Sequence, residues 1–141
     1  MKVGTVFCWN RFLHRGRESK NSWFIYLGKT GYGADPPHAY IGRTTTQLNY
    51  YAPGQYRARR KKMSFARGEC GFEEECLLDV DEDIISTLMV EFEESTEIVL
   101  KGCLPDNKLR KLLQLILSSG NSRLVKADIK SSFRGCGIRE A

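Results

Sequence analysis

Arg43, Thr44, Thr45, Thr46 and Gln47 follow one another without a break. A guanidinium offers a fixed fork of donors, and hydroxyls and an amide add more, so this run suits the oxygens of a phosphate. Along an extended strand alternate side chains share a face. That rule sets Arg43, Thr45 and Gln47 on one side, with Thr44 and Thr46 on the other. The competing reading is an ordinary strand end, because threonine favours strands and an arginine there is often only solvated.

Two further stretches carry groups of the same kind. "YYAPGQYRARRKK" interleaves Tyr50, Tyr51 and Tyr56 with Arg57, Arg59, Arg60, Lys61 and Lys62. Cations of this sort bind backbone phosphates, and aromatic faces stack unpaired bases. The bland alternative is a solvated loop, or one that docks on the chain's own acidic residues. "RGRESKNS" contains Arg17, Lys20 and a single carboxylate, Glu18. If the first two strands are neighbours, this loop comes near Thr45. Glu18 is then a candidate general base and Lys20 a candidate stabiliser of an anion. An ordinary exposed loop competes here too.

Other chemistries have little foothold. There is no P-loop and no GxGxxG, and His14 and His38 fall in no triad pattern. The five cysteines, Cys8, Cys70, Cys76, Cys103 and Cys136, show no CxxC pair and read as reduced thiols. "DVDEDI" lacks the glycine and spaced ligands of a calcium loop and reads better as a helix start. No metal and no cofactor is expected.

Charge is strongly segregated. Glu69 to Glu97 contains twelve acidic residues and no Lys or Arg, so it nets −12 and the rest of the chain nets +17. Such separation points to a polyanion-binding face, or to two segments that neutralise each other in the fold or across a dimer.

These groups must be placed by regular elements. "GTVFCW" (4–9), "SWFIYLGK" (22–29) and "AYIGRTTTQ" (39–47) read as three strands, rich in β-branched and aromatic residues. A long connection spans 48–71, with room for a short strand in its middle. "ECLLDV" (75–80) and "EIVLKG" (97–102) read as strands. Apolar residues at 84, 85, 88, 89 and 92 predict a helix over 81–94. Leu109, Leu112, Leu113 and Ile116 predict a second helix over 105–120, and Leu115 and Leu117 widen its stripe toward deep burial or a dimer contact. "RLVKADI" (123–129) reads as a last strand, and 131–141 as a frayed tail. The expected fold is mainly β (α+β): a small, strongly bent sheet or barrel over 1–130 with helices packed at its side. No run approaches the roughly 20 apolar residues needed to cross a bilayer. The start lacks the pattern of a signal peptide, and a cytoplasmic location is expected.

The order of these segments resembles the MazF/PemK superfamily. "VGTVFCW" looks like that family's opening strand, "SWFIYLGK" like its second and "AYIGRTTTQ" like its third. "LKGCLPDNKLRKLLQLI" is similar to the late segment that enters the C-terminal helix. The resemblance implies an SH3-like β-barrel with a C-terminal helix packed at its side, of the dimeric toxin type that binds single-stranded RNA and cleaves it without metal, and it implies an antitoxin partner. It carries the family's threonine to Thr45, with Thr46 as the neighbouring choice. The family's arginine before the second strand has no counterpart, since Asn21 and Ser22 stand there. Lys20, Arg17 or Arg43 would have to replace it. On this reading Gln47, Tyr56, Arg57, Arg59, Arg60, Lys61, Lys62 and Arg17 contact RNA, while the acidic stretch lies away from it. A non-catalytic nucleic-acid-binding or protein-interaction module on the same fold is the alternative.

Overall fold

The computed structural model describes residues 1–12 and 20–140. Strands β1 (Thr5–Phe12), β2 (Lys20–Lys29) and β3 (His38–Thr45) form an antiparallel meander. Strands β4 (Lys62–Phe65) and β5 (Cys76–Asp79) form a hairpin, followed by β6 (Ile84–Leu88). Helix α1 (Met89–Glu94), strand β7 (Ile98–Cys103), helix α2 (Asp106–Leu117) and helix α3 (Arg123–Gly135) complete the chain. The sheet order is β4-β5-β3-β2-β1-β7, with β6 pairing β3 as well. The expected class holds: the sheet curls strongly into a half-barrel, with the C-terminal helices against it.

The curl has a local cause. The edge of β3 opposite β2 serves two partners: β6 along His38–Gly42 and β5 along Thr44–Thr45. One strand cannot lie flat in both ladders. Gly42 sits at the changeover, and a Cβ there would meet the Leu78 side chain at 2.8 Å. A bare backbone at this point lets Leu78, fully buried, fill the inside of the bend. A second close approach crosses the barrel. Gly71, in the helical turn Glu69–Gly71, packs so tightly on β7 that a Cβ would overlap the Lys101 carbonyl.

The core fills the concave side. Phe7, Phe24, Ile25, Leu27 and Ile41 come from the meander, and Phe65 and Leu78 from the hairpin. Helix α2 adds Leu109, Leu112, Leu113 and Ile116, the face its spacing predicts, with Leu115 and Leu117 partly buried against the same core.

Three expected elements differ. Residues 81–94 do not form one helix; Ile84–Leu88 is a strand and only Met89–Glu94 is helical. The apolar positions satisfy either period, and the vacant edge of β3 decides for the strand. Residues 123–129 are helix, not strand. Ser122 caps α3 by accepting from the Val125 N–H at 3.3 Å, and Ile129 and Phe133 are buried one turn apart. The tail is not frayed throughout, because Phe133 and Ile138 are both core residues. Asp128 ties α3 to the sheet, accepting from the Tyr40 hydroxyl at 2.7 Å and the Gly31 N–H at 3.2 Å.

A candidate phosphate-binding groove

Because β2 and β3 are antiparallel, with Phe24 opposite Arg43, the first residues of β2 lie beside the last of β3. The Thr44 hydroxyl donates to the Trp23 carbonyl at 3.1 Å and fastens the two ends. Here the sheet opens into a groove of about 560 Å³. Arg43, Thr45, Thr46 and Gln47 all line it, joined by Thr44. The strict alternation expected over 39–47 does not hold, because β3 ends at Thr45 and the chain then bends. Gln47 reaches the groove from that bend. Its N–H donates to the Thr45 hydroxyl oxygen at 3.1 Å, which leaves the threonine proton available to an incoming acceptor.

The opposite wall comes from residues the sequence did not single out. Arg67, Phe72, Glu73, Glu74 and Cys76 belong to the β4–β5 hairpin, and Asn21, Ser22 and Trp23 to the start of β2. Arg67 is exposed and forms no ion pair among the described residues. The Trp23 and Phe72 rings lie 5.9 Å apart, with the Lys101 ammonium 5.2 Å from the indole. Lys101 also pairs with Glu73 at 3.2 Å. Burial pushes the Cys76 thiol up to about 11, with the Thr44 hydrogen bond opposing, so it is a protonated, unreactive sulfur at neutral pH. The Ser22 hydroxyl is the one buried side-chain oxygen without a hydrogen-bond partner among the described residues. Nothing in local sequence periodicity marks Arg67 or Phe72; only the hairpin's fold brings them to Arg43.

The acidic stretch does not keep clear of the groove, since Glu73 and Glu74 stand on its wall. The basic loop does not line it. Instead the loop folds onto Asp79, which is 0 % exposed. Asp79 accepts from the Tyr51 hydroxyl at 2.9 Å, Arg60 at 3.2 Å and the N–H groups of Asp81 and Glu82 at 3.0 and 3.1 Å. Arg57 sits among three tyrosines, 5.2 Å from Tyr50, 5.8 Å from Tyr51 and 5.3 Å from Tyr56. The Lys62 ammonium donates to the Ala58 and Arg60 carbonyls. The Lys61 N–H is held by Asp81 at 2.8 Å. Of this loop's cations, Arg59 and Lys61 are exposed.

The two basic regions still meet at one carboxylate. Burial and Asp79 push the Asp83 carboxyl up, while Arg43 and Arg57 both oppose that shift. The Arg43 N–H donates to the Asp83 carbonyl at 2.9 Å. Arg17 and Glu18 lie outside the described residues. Lys20 opens β2 opposite Phe12, and its side chain lies outside them too. Among the described residues no three His, Cys, Asp or Glu side chains cluster as a metal site, and no helix is long and apolar enough to cross a membrane. The sequence matches no family model and no curated protein.

Proposed function

We propose that this groove binds single-stranded RNA. The observation that carries the reading is the convergence of two guanidiniums, Arg43 and Arg67, with the Thr45 and Thr46 hydroxyls and the Trp23 and Phe72 rings in one open cleft. Guanidiniums and hydroxyls take phosphate oxygens, and the rings offer faces to unpaired bases. Exposed Arg59 and Lys61 extend the positive surface along the neighbouring loop. The groove supports binding further than cutting. Cleavage, which the MazF/PemK resemblance implies, needs a base, and Glu74 is the one groove carboxylate without a hydrogen bond or ion pair among the described residues. The antitoxin and the dimer belong to that cleaving version of the proposal.

The test is fluorescence anisotropy with a mixed-sequence single-stranded RNA in EDTA across a salt series. Binding is expected to weaken steeply with salt. Arg43→Ala and Arg67→Ala are each expected to flatten the log–log slope by roughly 0.7. A gel of the same mixtures reads cutting separately, and intact RNA removes only the cleaving version. Absence of binding at low salt, or slopes unchanged in both variants, would overturn the proposal.

A further inference from the structure

Helix α3 carries Arg123, Lys126, Lys130 and Arg134. Steps of three, four and four residues nearly match whole helical turns, so the four side chains fall within about 80° of one side of the helix, in a row about 16 Å long. Arg123 and Arg134 are exposed, and Lys126 and Lys130 are half-buried. Glu140 is the acid on this row, pairing with Lys130 at 2.7 Å and with Arg134 at 3.5 Å. Arg123 and Lys126 form no ion pair among the described residues. Asp128 and Glu93 stand elsewhere, with Ser131 and Ser132 around a cavity on another side of the helix. The row therefore sets four cations against one carboxylate, inside a stretch, 105–141, that has eight Lys or Arg and three acids.

The rest of the helix surface narrows the partner. Single strands are held largely by aromatic faces that stack their bases. The exposed residues of α3 include no aromatic ring; beside Arg123 and Arg134 they are Leu124, Ala127, Ser131 and Gly135. A bilayer takes a helix by its apolar face. In α3 that face is Ile129 and Phe133, both fully buried in the core, and Leu124 is the helix's exposed large apolar side chain. A rigid row of cations with no ring beside it and no apolar face to insert suits a regular row of phosphates. A duplex offers that row, because its bases are paired and the backbone is what a protein meets.

We propose that this side of α3 binds the phosphate backbone of double-stranded RNA. The four cations take phosphate oxygens, and Glu140 gives up Lys130 and Arg134 as the contact forms. Helix α3 packs on the Lys29 end of β2, where the Ser132 hydroxyl accepts from the Lys29 N–H at 3.1 Å, whereas the groove opens at the Ser22–Trp23 end. Seven residues of extended strand set the two sites about 20 Å apart. The choice of RNA over DNA rests on the reading of the groove, since a folded RNA presents an unpaired loop and a paired stem together. The contact with a duplex backbone does not rest on it.

A fluorescent, blunt RNA duplex of about 16 base pairs, which offers the groove no unpaired base, is titrated with the full-length protein across a salt series. Binding is expected, and Arg123→Gln combined with Lys126→Gln is expected to flatten the log–log slope by roughly 1.8, near 0.9 for each lost phosphate contact. Arg123→Lys combined with Lys126→Arg keeps the charges and is expected to keep the slope. Glu140→Gln is expected to tighten binding about twofold, because it frees Lys130 and Arg134 from an exposed ion pair. Arg43→Ala and Arg67→Ala are expected to leave duplex affinity within about twofold, as distant sites act independently. Circular dichroism melts of each variant separate lost binding from lost folding. Failure of single-stranded RNA to bind while the duplex still does removes the reading of the groove and leaves the contact of α3 with a duplex standing. Absence of duplex binding at low salt, an unchanged slope in the folded Arg123→Gln, Lys126→Gln protein, or loss of duplex binding in Arg43→Ala overturns the proposal. So does tighter binding of a DNA duplex of the same sequence, which assigns DNA. Binding to phosphatidylserine vesicles with none to the duplex also overturns it and assigns an anionic membrane.

Discussion

Replacing Asp79 by asparagine changes one heavy atom at the point where the basic loop meets the sheet. The amide oxygen retains the Asp81 and Glu82 N–H groups, now 3.0 and 3.1 Å from Oδ1. The amide nitrogen then occupies the place of Oδ2, facing the Tyr51 hydroxyl at 2.9 Å and the Arg60 guanidinium at 3.2 Å. Tyr51 can turn its proton and accept, but arginine has no acceptor to offer. A hydrogen bond to a charged group contributes about 1.5–3 kcal/mol, and breaking a fully buried ion pair costs about 3–5 kcal/mol. Arg60's side chain is 28 % exposed, so it recovers part of that loss by turning to water. The expected cost is therefore about 2–3 kcal/mol, or a melting temperature lower by roughly 6–10 °C for a chain of this size. Thermal unfolding followed by circular dichroism reads it. Arg60→Ala and the double variant complete a cycle, in which the double variant should cost less than the singles combined. An Asp79→Asn melting temperature within about 1 °C of wild type would refute the reasoning, and so would additive singles.

Tyr40 and Tyr51 are both pushed up to about 12, first by burial and then by their hydrogen bonds to Asp128 and Asp79. A folded-state value above the unfolded one, near 10, stabilises fully below pH 10 and is lost as pH rises toward 12. Melting temperature should therefore fall across that window, and less steeply in Tyr51→Phe; a flat profile to pH 12 contradicts the assignment. Gly42→Ala puts a Cβ 2.8 Å from Leu78 at the bend of β3, and denaturant titration should show a loss of about 1–3 kcal/mol. Ser22→Ala removes a buried hydroxyl that has no partner, so the same titration should show a gain of about 1 kcal/mol; a loss would mean that the hydroxyl is satisfied.

Much of the fold is legible in short-range pattern. The meander strands follow from runs such as "SWFIYLGK", and α2 follows from Leu109, Leu112, Leu113 and Ile116, because strand and helix periods are properties of adjacent residues. The pattern misleads where two periods fit the same residues. Ile84, Ile85, Leu88, Met89 and Phe92 suit a helix, and the open edge of β3 takes the first part as a strand. In "RLVKADI" the expected strand is instead a helix, capped by Ser122 and held by Ile129 and Phe133 in the core.

For the candidate groove the sequence by itself determined one wall. Arg43, Thr45, Thr46 and Gln47 are neighbours in the chain, and consecutive residues at a strand end cannot be far apart. Tertiary structure decided everything that faces them. Arg67, Phe72 and Glu74 arrive because Leu78 packs over Gly42 and Gly71 crosses β7, close approaches between segments distant in sequence. It also decided that Arg57 and Arg60, alike in the sequence as phosphate ligands, turn toward tyrosine rings and toward Asp79. A charge's partner is set by which carboxylate or ring the fold brings within a few ångströms, and composition does not carry that distance.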